Sequence, residues 1–242
     1  MNKTANYRLT VVVPVYNEEG NMHRLEKELG NFLKTSRFPA CILFVNDGST
    51  DRSGELLKGI CGREADFYYL ELAGNGGLSA AMKAGIDHTE SEFVGYIDAD
   101  LQTSPEDFNL LLDCAEQYEM VMGIRTGRKD GFVKNISSRI ANSFRRLMTH
   151  DGVDDTGCPL KILRTDYARR IPFFTGMHRF LPALIQLQCG KVKQIPVRHF
   201  PRMAGKSKYN LRNRLIGPFK DCFAYRWMRK RYINYQVAES DL

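Results

Sequence analysis

A chain of 242 residues with 43% hydrophobic content can bury one generous core, and α/β architectures commonly run this long as a single domain with an appendage. Its six cysteines are dispersed without a CxxC pair, which argues against a zinc site or a disulfide framework and suits a reducing cytoplasm. The formal net charge is +7, yet Arg202 to Tyr232 alone holds ten basic residues and one acid, leaving 25 against 27 elsewhere, so the positive excess calls for an anionic partner at one C-terminal segment.

No apolar run reaches the roughly 18 residues that a membrane-spanning helix needs, and the opening "MNKTANYRLTVVVPVYNEE" has too short an apolar stretch for a secretory leader. "RLTVVVPVY" is rich in β-branched residues and reads as a buried strand. Met22, Leu25, Leu29, Phe32 and Leu33 then recur at helical spacing. "CILFVNDGS" is a second strand followed by the helix "GELLKGICG"; "FYYLELA" is a third, followed by a glycine turn and "LSAAMKAGIDH". The fourth strand lies in "EFVGYIDADLQ", before a helix over "SPEDFNLLLDCAEQY" with Ser104 as N-cap, Pro105 at its first position and Asp107 three residues after the cap. Four βα units in succession predict a largely parallel sheet, whose ligands bind at the carboxyl ends of the strands. The second half predicts a strand "EMVMGI", an Arg-bearing loop "RTGRKDGFVKN", a helix "ISSRIANSFRRLM", a turn "DGVDDTGCPLKILR", a helix near "MHRFLPALIQLQ" and a strand "KVKQIPVRHF" before the basic tail.

Asn17, Glu18, Asn46, Asp47, Asn75, Asp98 and Asp100 each follow an apolar strand, so they are expected along one sheet edge. Asp98 and Asp100, two apart at a strand end, share a face. Two carboxylates so close repel unless a cation joins them, and Mg²⁺ or Mn²⁺ held by one or two carboxylates together with substrate phosphates suits the pattern. Gln102 offers a neutral oxygen beside them. The same residues also read as ordinary turn or capping groups, since Asp is common after strands.

Taken in order, "VVVPVYNEEG", "FVNDGSTD", "NGGLSAAMKAG" and "YIDADLQTSPED" resemble the N-terminal half of inverting family 2 glycosyltransferases of the GT-A fold. "GIRTGRKD", "SSRIANSF", "DDTGCPLKILR" and "RMAGKSKYN" extend the resemblance to the branch that transfers sugar to polyprenyl phosphate, like dolichol-phosphate mannose synthase. The resemblance implies an α/β, Rossmann-like GT-A domain over residues 1–209, with a mixed, mostly parallel sheet flanked by helices, and a basic amphipathic helical tail over 210–242. It implies that Pro14, Tyr16, Glu18, Asp47 and Asp98 hold the nucleotide of a GDP- or UDP-linked sugar, and that Asp100 and Gln102 bind metal and diphosphate. Arg125, Arg128, Ser138, Arg139, Arg202, Ser207 and Lys208 would meet the acceptor phosphate, with Lys206 in the same basic loop; Asp100, Arg125, Asp155, Arg202 and Lys208 would carry the transfer.

The chain departs from the family pattern at Asn46, where a second Asp is common, and at Gly74 and Leu78, where Arg and Lys are common. "GNGG" lacks the GxGxxG spacing of a dinucleotide loop. A lipid phosphate, with a second pKa of about 6, is already largely anionic near neutrality and needs no strong base, so Asp155 is expected either to orient the acceptor or to act as a base. A saccharide hydroxyl is the alternative acceptor, and would make Asp155 or Asp154 essential. "NLRNRLIGPFKDCFAYRWMRKRYINY" has the composition of a helix lying in a membrane interface, with Pro218 starting a short helix and Phe219, Cys222, Phe223 and Trp227 on one side. Peripheral attachment at the cytoplasmic face, with a separate integral membrane subunit as partner, is expected. Nucleic acid is not, because the strand-end carboxylates would repel a phosphate backbone.

Overall fold

The computed structural model describes residues 2–126, 143–201, 211–235 and 238–239. In chain order it places β1 (Leu9–Val15), α1 (Met22–Thr35), β2 (Ala40–Asn46), α2 (Ser53–Arg63), β3 (Phe67–Glu71), α3 (Leu78–Asp87) and β4 (Phe93–Tyr96). These are followed by α4 (Phe108–Leu112), β5 (Met120–Arg125), α5 (143–149), β6 (Lys161–Arg164), α6 (Thr165–Arg169), α7 (Leu181–Leu187), β7 (Val192–Val197) and α8 (Leu211–Arg229). The strands form one sheet of order β3-β2-β1-β4-β6-β5-β7. Only β6 runs against the others, pairing antiparallel with β4 and β5, so the sheet is mixed and mostly parallel.

A period of two divides the apolar strands between two cores. Val11, Val13, Ile42 and Phe44 face α1 and α4, where Leu25, Leu29, Phe32 and Phe108 are buried. Val12, Leu43 and Val45 face the opposite side, against Met82, Ile86, Phe180 and Leu184. The helical spacing in α1 therefore marks its buried stripe, with Leu33 only partly covered.

Three local expectations are corrected. β6 lies where "CPLKILR" reads as a turn; its four residues, begun by a lysine, are too few to show a period. The helix expected from Ser104 is broken into a 3-10 turn at Pro105–Asp107, α4, and another 3-10 turn at Ala115–Gln117. Asp107 does not serve the cap: its carboxylate accepts from the Arg198 backbone N–H and guanidinium at 2.6–2.9 Å, while Ser104 Oγ accepts from the same guanidinium at 3.3 Å. Finally, Pro218 starts no new helix, because α8 runs through it. A proline removes one intrahelical hydrogen bond, and burial of Cys222 and Tyr225 in the second core, with Tyr225 Oη donating to the Ala183 carbonyl, offsets that loss.

Candidate active site

The functional edge is assembled by strand direction. Val15 of β1 pairs with Asn46 of β2, and the Asp47 N–H donates to the Val15 carbonyl at 2.8 Å. Just past the end of β4, the Ile97 N–H reaches the Val12 carbonyl at 3.3 Å. Because β6 is antiparallel, its first residue, Lys161, lies opposite Tyr96 and thus at the same edge. Arg125 ends β5 opposite Val197 of β7.

The nucleotide-side motifs are stitched together by hydrogen bonds. Asn17, at φ 51, accepts from the Thr50 N–H at 2.7 Å, and its own N–H donates to Ser49 Oγ. Glu18 accepts from Asn21 Nδ2 at 2.7 Å, and its N–H donates to Ser53 Oγ. Pro14 and Tyr16 are half-buried on the same strand end. Asp47 is buried, and its two oxygens accept from the Gly76 and Gly77 N–H groups at 2.8 and 2.9 Å, so this carboxylate holds the glycine turn at the start of α3. Asn46 explains its departure from the family's Asp: its amide approaches Glu71 Oε1 at 3.5 Å while accepting from the Ser49 N–H. A second carboxylate there would face Glu71 with like charge.

Gly48 is the pivot of this turn. It adopts φ +65, and an added Cβ would lie 2.6 Å from the Gly74 carbonyl carbon and 2.7 Å from the Asn75 nitrogen. A left-handed L-residue costs about 1–2 kcal/mol, and the collision with backbone adds to it. Gly48→Ala is expected to lower stability by roughly 2 kcal/mol or more, read as a lower denaturation midpoint at unchanged m-value.

The acidic pair is set by a turn rather than by the strand, since β4 ends at Tyr96. The Leu101 N–H donates to the Asp98 carbonyl at 3.1 Å, and Leu101, fully buried, takes φ 47. Such a conformation in a branched residue costs of order 1–3 kcal/mol and is typical of functional corners. Arg24 of α1 braces the turn by donating to the Asp100 and Leu101 carbonyls. Asp100 is buried, with Oδ1 accepting from the Gln102 N–H at 3.2 Å. Asp98 accepts a short hydrogen bond from Tyr96 Oη, and its pKa is raised by burial first and by the Asp100 charge second.

Among the described residues no group of three or more His, Cys, Asp and Glu is arranged to hold a metal. What this corner offers is hard oxygen: the Asp100 carboxylate, the neighbouring Asp98, and the Gln102 amide, whose nitrogen faces the Phe200 carbonyl at 3.4 Å. An incomplete oxygen set under carboxylate repulsion fits an ion of the Mg²⁺ or Mn²⁺ type that takes its remaining ligands from phosphate and water.

Across the edge, Arg125 and Asp155 form a forked pair, Nε to Oδ2 and Nη2 to Oδ1 both at 2.8 Å, with the Arg125 N–H also donating to Oδ2. Their side chains are only 15% and 12% exposed. Burial lowers the guanidinium pKa, and the bonds to Asp155 outweigh that and raise it. Between this pair and the acidic turn lies Lys161, buried, donating to the Cys158 carbonyl and stacked 5.6 Å from the Tyr96 ring centroid. Sequence reading missed Lys161 because "LKILR" gave no sign that a strand would bury the lysine at the site.

Asp98, Asp100, Arg125 and Asp155 are therefore brought to one edge, electrostatically coupled through Arg125 and Lys161, with Gln102 beside Asp100. Asp47 shares that edge and is engaged with backbone. Arg128, Ser138, Arg139, Arg202, Lys206, Ser207 and Lys208 lie outside the described residues. The segment leading to the last four is anchored beside the acidic turn, through the Asp107–Arg198 clamp and the Phe200 N–H donating to the Gln102 carbonyl at 2.8 Å.

The chain is similar to known proteins in sequence and in fold. The chain is 32% identical over 205 residues to the undecaprenyl-phosphate 4-deoxy-4-formamido-L-arabinose transferase of Edwardsiella ictaluri, covering 84% of this chain and 63% of that one. It is 32% identical over 209 residues to the dodecaprenyl-phosphate galacturonate synthase of Rhizobium johnstonii, covering 84% and 62%. It thus spans less than two thirds of the length of either relative. Among solved structures, glucosyl-3-phosphoglycerate synthase from Mycobacterium tuberculosis superposes with a TM-score of 0.67 at 14% identity, covering 97% of this chain and 84% of that one. The mannosyltransferase PcManGT from Pyrobaculum calidifontis, solved with GDP-Man and Mn²⁺, gives 0.63 at 17%, covering 96% and 66%. These likenesses identify the mixed sheet as the GT-A fold expected from the sequence. With the family's sequence model matching residues 10–172, the chain belongs to glycosyl transferase family 2.

Proposed function

We propose that this chain transfers a sugar, with inversion, from a GDP- or UDP-linked donor to a polyprenyl phosphate. The observation that carries the reading is the convergence of an acidic, oxygen-rich turn with a guanidinium–carboxylate pair on one sheet edge. Two relatives named for transfer to undecaprenyl or dodecaprenyl phosphate support the acceptor. Neighbours solved with Mn²⁺ and GDP-Man or UDP-glucose support the donor and metal classes.

In this reading Asp100 and Gln102 would hold the divalent ion, which when bound would supply positive charge to a nucleoside diphosphate leaving group. Pro14, Tyr16, Glu18 and Asp98 line the nucleotide, and Asp47 shapes its floor through the glycine turn. The acceptor phosphate is anionic near neutrality, so the chain's task is to shield it from the donor diphosphate and align it for attack. Arg125 keeps N–H groups beyond those given to Asp155 and suits forked contact with phosphate; Arg128, Ser138, Arg139, Arg202, Ser207 and Lys208 are its proposed partners. Incubation with polyprenyl phosphate or with oligosaccharide acceptors, each with GDP- and UDP-sugars and Mn²⁺, tests the assignment. A glycosylated lipid phosphate is expected, and product only on the saccharide would replace the acceptor.

Among the described residues no helix is long and apolar enough to cross a membrane. α8 instead has two faces: Cys222 and Tyr225 point into the core, so Cys222 does not share one side with Phe219, Phe223 and Trp227 as the sequence suggests. Phe219, Phe223 and Trp227 are exposed by 50%, 53% and 62%, and Phe144 of α5 stacks on Phe219 at 4.8 Å. Lys220, Arg226, Lys230 and Arg231 are exposed near them. We assign residues 210–242 as the membrane-interface portion of the chain, at the cytoplasmic face. The double variant Phe223→Ser, Trp227→Ser is expected to weaken co-sedimentation with anionic liposomes by about tenfold or more. Unchanged sedimentation would remove the tail from membrane attachment.

A further inference from the structure

The acidic turn is held from two sides. Arg24 supports its backbone from α1, through the Asp100 and Leu101 carbonyls. On the other side lies the segment after β7, where pairing with β5 has ended at Val197. Phe200 of this segment meets Gln102 twice: its N–H donates to the Gln102 carbonyl at 2.8 Å, and its own carbonyl accepts from the Gln102 amide nitrogen at 3.4 Å. Giving the nitrogen to Phe200 turns the oxygen of the planar amide to the opposite side, and only the oxygen can serve a hard cation. Two residues before Phe200, Arg198 is clamped. The Asp107 carboxylate, 4% exposed, takes the Arg198 backbone N–H on Oδ2 at 2.9 Å and the guanidinium Nε and Nη2 on Oδ1 at 2.9 and 2.6 Å. Nη2 also reaches Ser104 Oγ and Glu106 Oε2, both at 3.3 Å. Charge-assisted bonds from a guanidinium fix direction as well as supplying energy, and a buried carboxylate deprived of its cation is costly. The segment is therefore drawn to this one seating.

We propose that Asp107 and Arg198 are positioning residues of the metal and diphosphate site: their clamp seats Phe200 so that the Gln102 amide presents its oxygen, rather than its nitrogen, to an ion held with Asp100. The inference rests on the metal reading of Asp100 and Gln102 given above. The turn's backbone has its own supports in Arg24 and in the Leu101 N–H to Asp98 carbonyl bond, so the clamp acts on the Gln102 side chain. Groups that orient a metal ligand from behind are worth about 10–100-fold in metal affinity. Arg198, whose side chain is 56% exposed, belongs at the lower end of that range.

The test uses the full chain, with Mn²⁺ titrated by the electron paramagnetic resonance signal of the free ion at saturating UDP or GDP. Arg198→Gln, Gln102→Ala and the double variant are compared with the parent. Arg198→Gln is expected to weaken Mn²⁺ binding about tenfold, and Gln102→Ala by at least as much. The double variant is expected to match Gln102→Ala, because the clamp acts through the amide that this substitution removes. A general loosening of the fold would instead add its own factor. Arg198→Lys, which keeps a charge beside Asp107 and loses the fork, is read in the same way if the glutamine variant does not fold. Parental affinity in Arg198→Gln, or a double variant weaker than Gln102→Ala by the full Arg198→Gln factor, overturns the proposal and leaves the metal reading standing. A parental chain that binds no Mn²⁺ with either diphosphate, or a Gln102→Ala variant that binds it as the parent does, refutes the metal reading itself, so the two failures are distinguished.

Discussion

Asp100→Asn is expected to leave the fold intact and to reduce sugar transfer about a thousandfold or more, the equivalent of roughly 4 kcal/mol of transition-state stabilisation. The substitution keeps the shape of the side chain and an acceptor for the Gln102 N–H. It removes the negative charge that, after burial, raises the Asp98 pKa, so Tm should hold or rise. What disappears is the buried anionic oxygen that, with Gln102, would hold the metal. Asp98→Asn is a useful contrast, since an amide oxygen still accepts from Tyr96 and the loss should be nearer tenfold. Initial rates with GDP- and UDP-sugars, polyprenyl phosphate and a Mn²⁺ series decide the matter. Parental rates from Asp100→Asn, or rates indifferent to Mn²⁺, would remove the metal from the mechanism.

How far the sequence discloses this site follows from where its information is local. Each of the four βα units carries its own periodicity and turn residues, so β1 to β4 and the placement of Asp47, Asp98 and Asp100 at one edge were readable without a structure. β6 was not, because its position between β4 and β5 is fixed by long-range pairing of four residues. Lys161 was invisible for the same reason. The helix expected from Ser104 fails through competition: Arg198, 91 residues later, takes the Asp107 carboxylate that local rules assign to the cap. Likewise the outer face of α8 was legible as aromatic and basic, while the inward turn of Cys222 depends on a core that the tail's own sequence does not contain. The clearest case is Arg125 and Asp155, each visible as a candidate, with nothing in their spacing to show that they bind each other.

That pairing turns Asp155 into a test of the acceptor's chemistry. A carboxylate that accepts a forked guanidinium pair and a backbone N–H has little capacity left to collect a proton from an attacking hydroxyl. Its geometric effect is to fix Arg125 at the end of β5. Asp155→Asn keeps the outline of the side chain but leaves the guanidinium, 15% exposed, without its counter-charge. Removing one partner of a buried pair costs about 3–5 kcal/mol; partial exposure places this pair near 3 kcal/mol, a fall in Tm of roughly 6–12 °C for a chain of this size. If the acceptor is a lipid phosphate, turnover at a temperature below the new transition is expected to survive, reduced by about tenfold and mainly through a higher KM for the acceptor as Arg125 loses its fixed orientation. The pH profile should keep the parental shape, because no proton passes through residue 155. If the acceptor is a hydroxyl, kcat falls by a thousandfold or more and the acid limb of the profile is lost with the base. Arg125→Ala combined with Asp155→Asn completes the cycle: under the phosphate mechanism the double variant matches Arg125→Ala alone, since the carboxylate acts only through the guanidinium it holds.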